Sequence, residues 1–195
     1  IRFVPAPDSY RPLGGEAGMT HAKRFAEEVA RQIEDLNKTE HSFSSLIVCP
    51  FFANEGFPDL PPGWLDPTVE VVRKAGGVII ADEVQPGFGR LGTHLWGHER
   101  MGFAPDIMTI GKSMANGHPV GGVVTSAAIM AEFRKSFRYF NTFGGNAVSM
   151  AAAMATLDVV EQEGLMQNAA MVGEYARAGM RELARKHAAI GDVRG

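Results

Sequence analysis

"GGVIIAD", residues 76–82, decides the fold. Its paired glycines end whatever helix precedes them, and the apolar run that follows without a polar break reads as a buried strand of the kind found in parallel sheets. Just upstream, Asp66 offers a helix cap and Pro67 a first helical residue, so a helix is expected to run from there to the glycine pair. Further back, "SLIVCP" at 45–50 is another short apolar run, followed by the Pro- and Gly-rich "FFANEGFPDLPPGW", which must be a loop. Ser45 to Asp82 is thus strand, helix, strand, at a length suited to a right-handed parallel crossover.

The remaining pattern extends the same architecture. Residues 1–18 carry Pro5, Pro7 and Pro12 without periodicity and read as an irregular entry segment. From Thr20 to about Leu36, the residues Phe25, Val29, Ile33 and Leu36 mark one face of an amphipathic helix. "DIMTIG" (106–111) is a third strand and "PVGGVVTS" (119–126) a fourth, with Ser126 capping a short helix that carries Ile129, Met130 and Phe133. An Ala- and Met-rich helix is expected from Asn146 to Glu163, and another from Leu165 to His187 after a break at Gly164. The fold class is α/β with a mostly parallel sheet flanked by helices. Ligands of such sheets sit beyond the C-terminal strand ends, which here carry Asp82 and Lys112.

Composition narrows the function. The 195 residues are 45% hydrophobic and 21% charged, an ordinary globular balance, and a formal charge of -3 supplies no basic field for nucleic acid or an anionic membrane surface. No apolar run of about 18 residues suggests a spanning helix, and "IRFVPAPDSYRP" has no signal-peptide core. Cys49 stands alone, so no disulfide forms within the chain and a cytoplasmic, reducing location is expected. The chain lacks an initiator Met and stops at "IGDVRG" directly after a helical pattern, so it reads as the middle piece of a longer polypeptide.

Several motifs compete for the chemistry. Gly111-Lys112-Ser113 suggests a phosphate loop, but the first glycine of such a loop is replaced by Asp106 and the intervening "IMTI" is strand. "GFGRLG" (87–92) matches a dinucleotide fingerprint through Gly87, Gly89 and Gly92, yet "DEVQP" separates it from the strand and no clear helix opens within it. His94 and His98 stand four apart but lack an intervening metalloprotease glutamate and an evident third ligand, so they and His118 read as polar loop histidines and no metal is assigned. Cys49 reads as a buried strand cysteine. What remains is the pair Asp82 and Lys112. A desolvated lysine loses its proton readily and can form a Schiff base with a carbonyl, while an aspartate can hold a cationic ring nitrogen; pyridoxal phosphate enzymes use that pairing. Taken alone, the two residues would equally suit a surface lysine and a capping aspartate.

The run "VIIADEVQPGFGRLGTHLWGHERMGFAPDIMTIGKSMANGHPVGGVVTS" (78–126) resembles the active-site region of class III, or ω-amino acid, aminotransferases of fold type I. "NTFGGNAVSMAAA" (141–153), "PPGWL" and "VPAPDSYRP" resemble further landmarks of that family. The resemblance implies pyridoxal 5'-phosphate as cofactor, Lys112 as its Schiff-base lysine and proton carrier, and Asp82 against the ring nitrogen. It further implies Val84 on the ring face, Gln85 toward the ring oxygen, and Thr142 on the phosphate of a neighbouring subunit's cofactor, hence a homodimer with shared sites. Residues 19–163 would be part of the cofactor-binding large domain, and 164–195 a long helix leading toward a small C-terminal domain. The family's phosphate loop would lie before Ile1 and its substrate-carboxylate arginine after Gly195. Substrates would be an amine or amino acid with a keto acid. "NGHPVGGVVTS" is most similar to the subgroup of alanine:glyoxylate aminotransferase 2 and the ethanolamine-phosphate phospho-lyases, which leaves elimination of phosphate as an alternative reaction. Where many relatives read Glu-Pro, this chain has Cys49-Pro50, so an acidic group that tunes substrate choice is absent at that place. Readings of a different class are an NAD-dependent enzyme built on Gly87 to Gly92 and a non-catalytic α/β scaffold.

Overall fold

Four strands form one sheet in the order β1 (Ser45–Val48), β2 (Val78–Asp82), β3 (Ile107–Ile110), β4 (Gly122–Thr125). The computed structural model describes residues 1–195, the side chain of Leu13 excepted. β1, β2 and β3 run parallel, with Ser45 opposite Val78 and Asp82 opposite Thr109. β4 returns antiparallel, pairing Ile110 with Gly122. The link from β3 to β4, residues 111–121, holds one 3-10 turn and no crossover helix, and a parallel return needs a longer connection.

Helices α1 (Gly18–Asn37) and α2 (Asp66–Lys74) cover one sheet face. The expected α1 stripe is buried at Phe25, Val29 and Ile33, with Ala22 and Ala26 beside it. Ala22, Phe25, Val29 and Ile33 meet Ile79 and Ala81 of β2, Val72 of α2 and the fully buried Trp64 in a single cluster. Burying each large apolar side chain contributes about 1.5–3 kcal/mol, so this layer fixes where β2 ends. Asp66 is not the cap of α2. Leu65 occupies that position with no side-chain bond, and Asp66 is the first helical residue.

Asp106 ties β2 into place from the other side. Its Oδ2 accepts the Ile79 N–H at 2.8 Å and its Oδ1 meets Arg73 Nη1 of α2 at 3.3 Å. The strand before Lys112 therefore starts from a residue bonded to both neighbours of the crossover.

The rest of the chain is helical and open. A five-residue helix, α3 (Gly97–Met101), stands in "THLWGHERMG", where the interrupted pattern had suggested none. Ser126 caps α4 (Ala127–Ser136) as expected, accepting from the Ile129 N–H. Asn146 caps α5 (Ala147–Gln162) in the same way through Ser149, and Gly164, in the left-handed region, separates it from α6 (Leu165–Lys186). Phe137, Phe140, Phe143 and Tyr175 all stand exposed along this half.

Candidate active site

Three loops meet at the C-terminal edge of β1, β2 and β3, and each brings a residue singled out from the sequence. Asp82 is the last residue of β2. Its Oδ1 accepts the Val84 N–H at 3.1 Å and the Thr109 hydroxyl of β3 at 3.3 Å. A short acidic side chain gripping the backbone two residues on is a turn-forming contact, and here it also fixes the direction of the carboxylate. Among the described residues no donor reaches its Oδ2.

Lys112 follows β3 after Gly111 and opens a 3-10 turn, Lys112–Ala115. Its φ of 44° is left-handed, a conformation that costs a non-glycine residue on the order of 1 kcal/mol and that persists only where the surroundings impose it. The side chain is exposed in this chain, so the burial expected of it from the sequence is not supplied by these residues. Val84 links the two strand ends: its methyl groups lie 3.6 and 3.7 Å from where a Cβ on Gly111 would stand. Gln85 donates from Nε2 to Asn54 Oδ1 at 2.9 Å, which joins the loop after β1 to the loop after β2. Ser113 Oγ, next to Lys112, is buried without a hydrogen-bond partner among the described residues.

Asp82, Val84, Gln85 and Lys112 are thus brought to one edge. Thr142 is not; it lies in the exposed segment between α4 and α5. Two cavities of about 590 and 850 Å³ lie elsewhere, against α6 and over β4, and neither is lined by Asp82 or Lys112.

One buried residue of the site region, Glu83, is not singled out by the sequence, and it gives His98 a partner the sequence does not show. Glu83 is fully buried, and its carboxylate takes the N–H groups of Gly97 and His98, each at 2.8 Å, with His98 Nδ1 also at 2.8 Å. An ionised carboxylate only accepts, so the ring nitrogen is the donor. His98 is accordingly an internal partner of Glu83 rather than a free loop histidine, and the pair closes the long loop that begins with Val84 and Gln85. No local pattern could have announced it, because donor and acceptor lie 14 and 15 positions apart. His94 bonds only Thr93, and His118 bonds Ser149.

The "GFGRLG" loop is filled by protein. Gly92 has φ 78°, and a Cβ there would stand 2.7 Å from the Ala170 backbone nitrogen of α6; at Gly89 it would stand 2.5 Å from Met166. Those glycines admit a helix flank where the fingerprint needs room for a pyrophosphate, so the nicotinamide reading fails. Cys49 is half-buried just past β1; burial pushes its thiol up, against the N–H groups of Ala53 and Phe51, which pull it down.

A lysine and an aspartate thus stand at or just past the ends of adjacent parallel strands of an α/β sheet, with an aliphatic side chain between them. The family model for class III aminotransferases matches residues 2–195, and the chain belongs to that family. It is 42% identical over 191 residues to alanine–glyoxylate aminotransferase 2 homolog 2, mitochondrial, of Arabidopsis thaliana, covering 97% of this chain and 38% of that protein. It is 34% identical over 206 residues to ethanolamine-phosphate phospho-lyase homolog 1 of Caenorhabditis elegans, covering 100% of this chain and 44% of the relative. Among solved structures, a phospholyase from Arthrobacter in complex with phosphoethanolamine superposes with a TM-score of 0.85 at 40% identity, over 90% of this chain and 42% of that one. The chain therefore spans about two fifths of these relatives. The family's cofactor is pyridoxal 5'-phosphate, and the residues here fit it: an unshared carboxylate oxygen, an apolar face, an amide and an amine converge on one edge.

Proposed function

We propose that this chain is the cofactor-carrying part of a pyridoxal phosphate-dependent aminotransferase that moves an amino group from an amine or amino acid to a keto acid. The observation that carries the reading is Lys112 in its left-handed turn beside Asp82, with Val84 packed against the glycine between them. When bound, the cofactor supplies an aldehyde carbon and a cationic ring that withdraws electrons. Asp82 would offer its open Oδ2 to the ring nitrogen and favour a positive charge there. Val84 would pack against one ring face and limit tilt. Gln85, steadied by Asn54, offers an amide to the ring oxygen. Lys112 would be the nucleophilic amine and then the group that holds and returns the substrate proton.

Thr142 belongs, in this reading, to the site of a neighbouring subunit in a homodimer. Its surroundings support that: Phe137, Phe140 and Phe143 are 65%, 85% and 81% exposed around it, an apolar surface that a single copy leaves uncovered. Residues 19–163 are assigned to the large domain and α6 to the approach toward a second, smaller one.

Elimination of phosphate from an amino-alcohol phosphate is the second reading, favoured by the likeness to the Arthrobacter phospholyase. As to location, no helix among the described residues is long and apolar enough to cross a membrane. We assign a reducing compartment from the solitary Cys49; the cytoplasm meets that, as does the mitochondrion for which the Arabidopsis and human relatives are named.

The test is covalent labelling. The full-length protein incubated with pyridoxal phosphate and then borohydride should carry the label on the peptide containing Lys112, and Lys112→Ala and Lys112→Arg should both lose it, since a guanidinium does not act as nucleophile. A label elsewhere, or none, refutes the assignment. Supplying phosphoethanolamine to the same preparation and measuring released inorganic phosphate separates the two reactions.

A further inference from the structure

The left-handed turn at Lys112 needs something to hold it, and the structure shows a hydrogen-bonded chain that does so. His118 donates its N–H to Ala115 O at the end of that turn, 3.0 Å away, and its ring Nε2 lies 2.8 Å from Ser149 Oγ in the first turn of α5. Ser149 is only 6% exposed. Its oxygen also accepts from Asn146 Nδ2 at 2.9 Å, and a hydroxyl has a proton and a second lone pair to share with the ring as well. Asn146 in turn accepts the Ser149 N–H at 3.0 Å and donates to Phe143 O at 2.9 Å. An unbroken path therefore runs from the Lys112 turn to the residue next to Thr142. The buried methyl of Ala115 packs the turn onto the same helix.

We propose that His118, acting through Ser149 and Asn146, is a positioning residue that fixes the Lys112 turn and the Thr142 loop relative to each other. The inference rests on the function proposed above. In a dimer with shared sites these two segments serve different cofactors, so loosening the one bond weakens two sites together. Two of the three histidines flagged in the sequence thereby take different roles: His98 orders the loop after Asp82, and His118 orders the lysine.

The test uses the full-length protein stripped of cofactor and titrated with pyridoxal phosphate, together with hydrogen exchange. His118→Ala and Ser149→Ala should each weaken cofactor binding about fivefold, the loss of one buried hydrogen bond. The double variant should be no weaker than the worse single one, because both remove the same link. His118→Gln, which keeps a polar atom near Nε2, should recover most of the affinity. Exchange should quicken in both 112–117 and 141–146 in either single variant. Affinities within twofold of the parent, losses that multiply in the double variant, or exchange that quickens only around the substituted residue would each overturn the proposal. If His118→Ala does not fold, Ser149→Ala and His118→Gln decide alone. Lys112 labelling in the parent separates the levels: a labelled parent with unresponsive variants sinks this inference only, and an unlabelled one sinks the function beneath it as well.

Discussion

Replacing Glu83 by Gln removes one charge and leaves the side-chain volume almost unchanged, which makes it a clean probe of the loop that begins at Val84. In the native chain Oε1 serves both the His98 N–H and His98 Nδ1, while Oε2 serves the Gly97 N–H, all at 2.8 Å, and the carboxylate is fully buried. A carboxamide keeps one acceptor oxygen. Whichever way it turns, its NH₂ faces a buried N–H, and that donor loses its partner at a cost of about 1–3 kcal/mol. The surviving bonds also lose their charge assistance, which brings the total to about 3 kcal/mol. The penalty falls on the start of α3 and on the loop it closes, so it should appear as local opening. Each 1.4 kcal/mol is a tenfold change, so the Gly97 and His98 amides should exchange about a hundredfold faster in the full-length variant, with the amides of α1 little affected. Exchange at those two positions within about threefold of the parent would show that Glu83 does not hold the loop.

Three other outcomes follow from named contacts. Asp82→Asn should leave Lys112 labelling intact while lowering turnover about a hundredfold, roughly 3 kcal/mol of transition-state stabilisation, measured as kcat/KM; near-parental rates would remove Asp82 from the ring nitrogen. Gly92→Ala should destabilise the protein by about 2–4 kcal/mol in urea unfolding, since a left-handed backbone and a 2.7 Å clash with the Ala170 backbone combine there; an unchanged midpoint would reopen the nucleotide reading of that loop. His21 is 2% exposed, and burial holds its imidazole below the ordinary value against a smaller upward pull from Asp8. The unfolded chain then binds the extra proton more readily, so the stability His21 contributes is present above about pH 6.5 and is lost as pH falls through the depressed folded value. His21→Phe should flatten that acid-side slope in denaturation midpoints measured from pH 7 to 5.

The strands, the first helix and both strand-end residues are legible in the sequence because each depends on neighbours a few positions away. Short apolar runs bounded by Gly or Pro mark strands locally, and Ser126 and Asn146 cap helices by reaching three residues along. Asp82 and Lys112 could be singled out as strand ends for the same reason, with the family resemblance supplying their roles. Tertiary structure alone decided what those residues face. The register of β2 against β3 sets Thr109 on Asp82, a contact across 27 positions, and the packing of α6 fills the glycine loop that local letters could only compare with a fingerprint. Glu83 with His98, and His118 with Ser149, are pairs separated by 15 and 31 positions, bonded only because the chain turns back on itself. A hydrogen bond is directional and reaches about 3 Å, so its partner follows from the path of the backbone through space, which sequence periodicity does not encode.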